Sequence, residues 1–99
     1  MKPMTTTHVD PDLPPADHAR ISAHSEQLQA LAAEYGISAL RFASPGRLVG
    51  HVAEDRDFLD VVDFDLAAKD LLGAHVSLFS DAVLTKANVS PDLVAAQPL

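Results

Sequence analysis

From Ala16 to Tyr35 apolar side chains recur at helical spacing, with Ile21, Leu28, Leu31, Ala32 and Tyr35 on one stripe and Gly36 where a left-handed cap would end a helix. One amphipathic helix is expected there. Its stripe is broken by His24 and Ser25, so the C-terminal half is expected to pack more firmly. Ile37 to Ala43 alternates instead, placing Leu40 and Phe42 on one face and Arg41 on the other, which predicts a half-buried strand. Ser44-Pro45 supplies an N-cap hydroxyl followed by proline at a first helical position, so a short helix or turn is expected to open there and stop near Gly50. Phe58 to Phe64, rich in Phe and Val, reads as a second strand. Asp65 is then the expected cap of a brief helix, Leu66 to Leu72, closed by Gly73, and His75 to Phe79 reads as a third strand. Ser80-Asp81 and Ser90-Pro91-Asp92 each resemble a helix start, with Pro98 ending the last one.

This order predicts an α/β (α+β) fold: a small mixed sheet of three or four strands with flanking helices. Residues 1–15, with three consecutive threonines and four prolines, favour extended backbone and are expected as a flexible N-terminal tail before a single domain spanning 16–99. Ninety-nine residues suit one core and leave too few apolar residues for a second.

Charge and composition narrow the partners. Fourteen acidic against seven basic residues give a formal charge of −7, which opposes attraction to nucleic acid and to anionic membranes and suits a basic protein partner or a divalent cation. The absence of cysteine removes disulfides, thiolate nucleophiles and Cys-based zinc sites and fits a reducing compartment. No apolar run has the length of a signal peptide or a membrane span, so the expected location is cytoplasmic. The five histidines lack zinc-type pairing, and no Walker loop, Rossmann glycine pattern or hydrolase triad is present.

Two segments carry candidate chemistry. A strand running into a capped turn at Ser44 can bind phosphate, because amides at a helix N-terminus point outward with partial positive charge and the Ser44 hydroxyl adds a hydrogen bond. Ser44 as a simple helix cap is the commoner use of Ser-Pro. Downstream, a strand beginning at Asp55 would turn the Asp55 and Asp57 carboxylates to one face, where two such oxygens can hold Mg²⁺ against substrate phosphates. A solvated acidic loop is the alternative.

Taken together, Phe42, Ser44 and Arg47, followed without a gap by Asp55 and Asp57, resemble the minimal nucleotidyltransferases, a polymerase-β-like family carrying Phe-Gly-Ser-x-x-Arg after a first strand and Ser-Asp-x-Asp at a second. Leu71 to Leu78 resembles the family's Leu-Leu-Gly-x-x-Val-Asp-Leu strand, and Ala95 to Leu99 its Ala-x-Pro-Leu close, so the likeness covers roughly Leu28 to Leu99. The resemblance implies a nucleotidyltransferase-like fold in which Asp55 and Asp57 are catalytic metal ligands and Ser44 and Arg47 hold ATP. It also implies an antitoxin-type role toward a HEPN-type toxin.

The departures from the family pattern fall on the chemistry. Ala43 replaces the glycine before the serine and sets a Cβ where a triphosphate would approach. Pro45 removes an N–H donor, Leu48 replaces a further glycine, and Ser77 stands at the third carboxylate, where a hydroxyl is a poor base. A second register aligns Val62-Asp63-Phe64 with the family's strand end and leaves Leu59 in place of the second aspartate. The expectation is an antitoxin-type protein with impaired or absent catalysis. The alternatives are an active Mg²⁺-dependent enzyme that adenylylates its partner, and a non-catalytic acidic interaction module.

Overall fold

The computed structural model describes residues 13–86 and 88–99. The expected mixed α/β fold is present, with a four-stranded mixed sheet and flanking helices. Of the stretch expected as a tail, 1–12 lies outside the described residues. Pro14 and Pro15 are tied in: the Pro14 carbonyl accepts from the His75 N–H at 2.8 Å, and Pro15 forms a parallel bridge with His75.

The single expected helix is two. Helix α1, His18–Ala23, starts where the Asp17 carboxylate accepts from the Arg20 N–H at 2.8 Å, and α2, Ser25–Glu34, follows a break at His24. The break falls at the polar His24-Ser25 interruption of the stripe. Tyr35 and Gly36 end α2, with Gly36 at φ +72°, the left-handed conformation anticipated for it.

Strand β1, Ile37–Ser44, and strand β2, Arg47–Val52, form an antiparallel hairpin. This corrects two expectations. Of the short helix or turn expected at Ser44-Pro45, the turn forms and ends at Gly46, not near Gly50: Pro45 and Gly46 are its two central residues, with Gly46 at φ +78° as a type II turn with proline first requires. The second strand is Arg47–Val52, within and beyond the segment assigned to that turn. A register shift between Ser38 and Arg41 surrounds Ala39 at φ +54°, and this bulge lets Ile37 and Leu40, three apart, both reach the core.

Phe58 to Phe64 is not a strand but the first half of helix α3, Phe58–Leu72. Asp57 caps it, accepting from the Leu59 and Asp60 N–H groups at 3.0 and 3.4 Å, while Asp60 Oδ2 accepts from the Asp57 N–H at 3.1 Å. This reciprocal capping box nucleates the helix despite its β-branched and aromatic residues. Phe64, Ala68 and Leu72 then form its fully covered stripe. Asp65, expected as a cap, lies inside α3. Gly73 closes the helix at φ +64°, and the Arg20 guanidinium donates to the Leu72 and Gly73 carbonyls at 3.0 and 3.3 Å, a cation on the negative helix end.

Strand β3, Ser77–Ser80, pairs parallel with β2, and the two-residue β4, Gln97–Pro98, pairs antiparallel with β1, giving the order β3-β2-β1-β4. Ser80 caps a 3-10 helix, Asp81–Thr85, and Ser90 precedes helix α4, Pro91–Val94, which Ala95 and not Pro98 ends. Helices α1 to α3 close one sheet face over a core of Ile21, Leu28, Leu40, Leu48, Phe64 and Leu78 with their buried neighbours. Gly50 belongs to this face: a Cβ there would stand 2.9 Å from Ile37 Cγ2 and 3.2 Å from Leu78 Cδ1. Val49, next to Leu48 and so turned to the other face, is buried outside the main cluster, as is Leu93 of α4.

Candidate functional site

The hairpin decides where the candidate residues go. Ser44 and Arg47 face each other across its turn, at the start of β2. Asp55 and Asp57 follow the far end of β2, so Arg47 and Val52 alone are separated by five residues of strand, roughly 17 Å. The serine turn and the aspartates are not brought together.

At the turn, Ser44 and Arg47 converge on Asp92 of α4. The Ser44 hydroxyl donates to Asp92 Oδ2 at 2.6 Å, and Arg47 Nε lies 3.3 Å from the same oxygen, an ion pair without hydrogen-bond alignment. Arg47 also donates to Ser90 Oγ at 3.4 Å and places its guanidinium 4.9 Å from the centre of the Phe79 ring. The Ser44 hydrogen bond, followed against partial desolvation by the Arg47 charge, holds the Asp92 carboxyl below the usual range. A carboxylate therefore stands where a phosphate would have to sit, and it already neutralises the one cation of the turn. The backbone offers no nest in its place: Pro45 lacks an N–H, and the Gly46 N–H donates to the Ala16 carbonyl at 2.9 Å. This cluster fastens the C-terminal segment to the hairpin.

At the other end, both Asp55 and Asp57 are exposed. Asp57 Oδ1 is engaged with the amides of α3, and its neighbour Asp60 pairs with Arg56 at 3.2 Å. Among the described residues no three His, Asp or Glu side chains gather as a metal site, and the engaged Asp57 with an exposed Asp55 does not fit the Mg²⁺ and ATP that the family likeness implies. Ser77 begins β3 opposite Arg47, away from both aspartates. Of the five histidines, His51 pairs with Asp81 at 3.2 Å on the surface and His75 joins the Pro15 bridge.

Sequence reasoning missed a different feature beside Asp57. A groove of about 470 Å³ runs between the start of α3 and the end of β3, floored by Val52, Val61, Leu78 and Phe79 and edged by Glu54 and Asp57. Phe58 lines it and is 75 % exposed, and Leu59, the next residue of the helix, is 67 % exposed. Reading Phe58 to Phe64 as a strand hid this, because alternation buries one residue in two, whereas a helix starting at Asp57 turns its first two side chains outward. The helical spacing of Val61, Phe64, Ala68 and Leu72 was the available signal.

Next to the groove, the Asp65 carboxylate accepts from the Leu78 N–H at 2.9 Å, closing the outer edge of β3 with a side chain. Burial pushes the Asp65 carboxyl up to about 6, although the Leu78 hydrogen bond pulls the other way. Among the described residues no helix is long and apolar enough to cross a membrane. Comparison with protein-family models, curated proteins and solved structures finds no match to this chain.

Proposed function

We propose that this protein is an antitoxin-type binding module of the cytoplasm that neutralises a toxin partner by contact, without nucleotidyl transfer. The observation that carries this reading is the separation of the two candidate half-sites to opposite ends of β2, with Asp92 filling the serine turn and the Asp57 carboxylate engaged as a helix cap. The antitoxin role, with a HEPN-type toxin as partner, comes from the likeness of the flanking segments to minimal nucleotidyltransferases. A chain with a formal net charge of −7 suits a basic partner.

The test is co-expression with the product of the neighbouring gene, followed by purification and intact-mass measurement. A stable complex whose partner has its unmodified mass is expected. Asp57→Asn keeps a good N-cap while removing a carboxylate ligand, so neutralisation should survive it. A partner heavier by one nucleoside monophosphate, with the gain abolished in Asp57→Asn, would establish the enzyme instead.

A further inference from the structure

We infer that the groove between α3 and β3 is the contact surface, and that its occupant is a basic amphipathic helix of a protein partner, seated against Phe58, Val61 and Leu78. This rests on the binding-module reading and specifies its site. Phe58, which lines the groove, is a large apolar residue left exposed at the first position of a well-capped helix, beside a floor that is itself apolar. Exposed apolar surface gathered at a concavity, with a polar rim, is the arrangement protein partners bury.

The rim sets the charge of the occupant. Glu54 and Asp57 stand at the mouth, and the one cation that lines it, Arg56, is already paired with Asp60. Lysines or arginines flanking an apolar stripe complement that field, whereas an acidic segment is repelled. The backbone sets its form. A partner strand would need the outward-facing N–H of Leu78, which the Asp65 carboxylate already holds at 2.9 Å, and the strand ends at Ser80, where the 3-10 helix from Asp81 takes over. Strand addition is therefore disfavoured, and a helix laying apolar side chains into the groove is the mode of peptide docking that we assign to it.

The probe is a synthetic helical peptide with leucine at i, i+3, i+4 and i+7 and lysine on its flanks, titrated into the full chain while backbone amide shifts are followed by NMR. The shifts are expected to centre on Val52 to Val61 and Leu78 to Ser80, to weaken with salt, and to require roughly tenfold or more peptide after Phe58→Ser. Because Phe58 is three-quarters exposed, that variant is expected to keep its fold, and its amide spectrum without peptide is the check. No binding, shifts centred elsewhere, equal binding by Phe58→Ser, or equal binding of a peptide with glutamate in place of lysine would each overturn the proposal. The purified pair separates this from the broader reading. A partner complex undiminished by Phe58→Ser removes the groove and leaves the antitoxin role, whereas no complex with the unaltered chain removes that role while the peptide result still judges the groove.

Discussion

Asp65→Asn is expected to stabilise this protein at neutral pH and to remove a pH dependence. The unperturbed carboxyl titrates at 3.8 and the folded one at about 6. Between these values the native state holds a proton that the unfolded chain has released, so stability is full below about pH 4, declines as pH rises through about 6, and stays reduced above it. Two units at ~1.36 kcal/mol each set an upper bound near ~3 kcal/mol. Asp65 is only half-buried, so solvent screening reduces this to about 1 kcal/mol. Asparagine keeps an oxygen to accept from the Leu78 N–H and carries no charge, so it retains the edge contact without the desolvation cost. Urea denaturation of both proteins from pH 4 to 8 isolates the effect as a difference, since other carboxylates titrate in both. The variant should gain about 1 kcal/mol at pH 7.5, a rise of roughly 4–8 °C in Tm, and nothing at pH 4. Asp65→Ala, which leaves the Leu78 N–H unpaired, should lose stability at every pH. A variant no more stable than the parent at pH 7.5, or a difference that does not change with pH, would refute the account of Asp65 as a carboxylate held at a desolvation cost.

Two further outcomes follow from the packing. Gly50→Ala should lower stability by about 1–3 kcal/mol in chemical denaturation, because its Cβ would meet Ile37 Cγ2 at 2.9 Å in a closed core. Ser44→Ala should let the Asp92 carboxyl rise toward its ordinary range, read by NMR titration; the stability held by the lowered value is present above about pH 4 and lost as pH falls through it, so the variant should show a smaller acid-limb loss.

How much of this was legible in the sequence depends on whether the deciding interaction was local. Gly36 and Gly73 ended helices as anticipated, since a left-handed residue after an apolar stripe is a local signal, and the alternation of Leu40, Arg41 and Phe42 gave β1 its faces. Pro45-Gly46 was equally local and was read in part: Ser-Pro leaves a helix start and a turn open, whereas proline followed by glycine between apolar runs selects the turn. Phe58 to Phe64 was decided by competition, since its Phe and Val favour a strand by propensity while the capping box and the continuation of the apolar stripe to Leu72 favour a helix, and packing resolved it.

The chain's own pattern determined a mixed α/β domain, its acidic character and its helix ends, because those depend on periodicity, charge and single-residue conformational limits. Only the tertiary structure decided that Ser44 and Arg47 meet Asp92, forty-odd residues away in sequence, and that Asp65 reaches Leu78. It also decided that Phe58 stands exposed beside a groove. These are contacts between segments distant in sequence, set by which strand pairs with which, and a two-residue turn in place of a helix is enough to send both halves of an expected site to opposite ends of one strand.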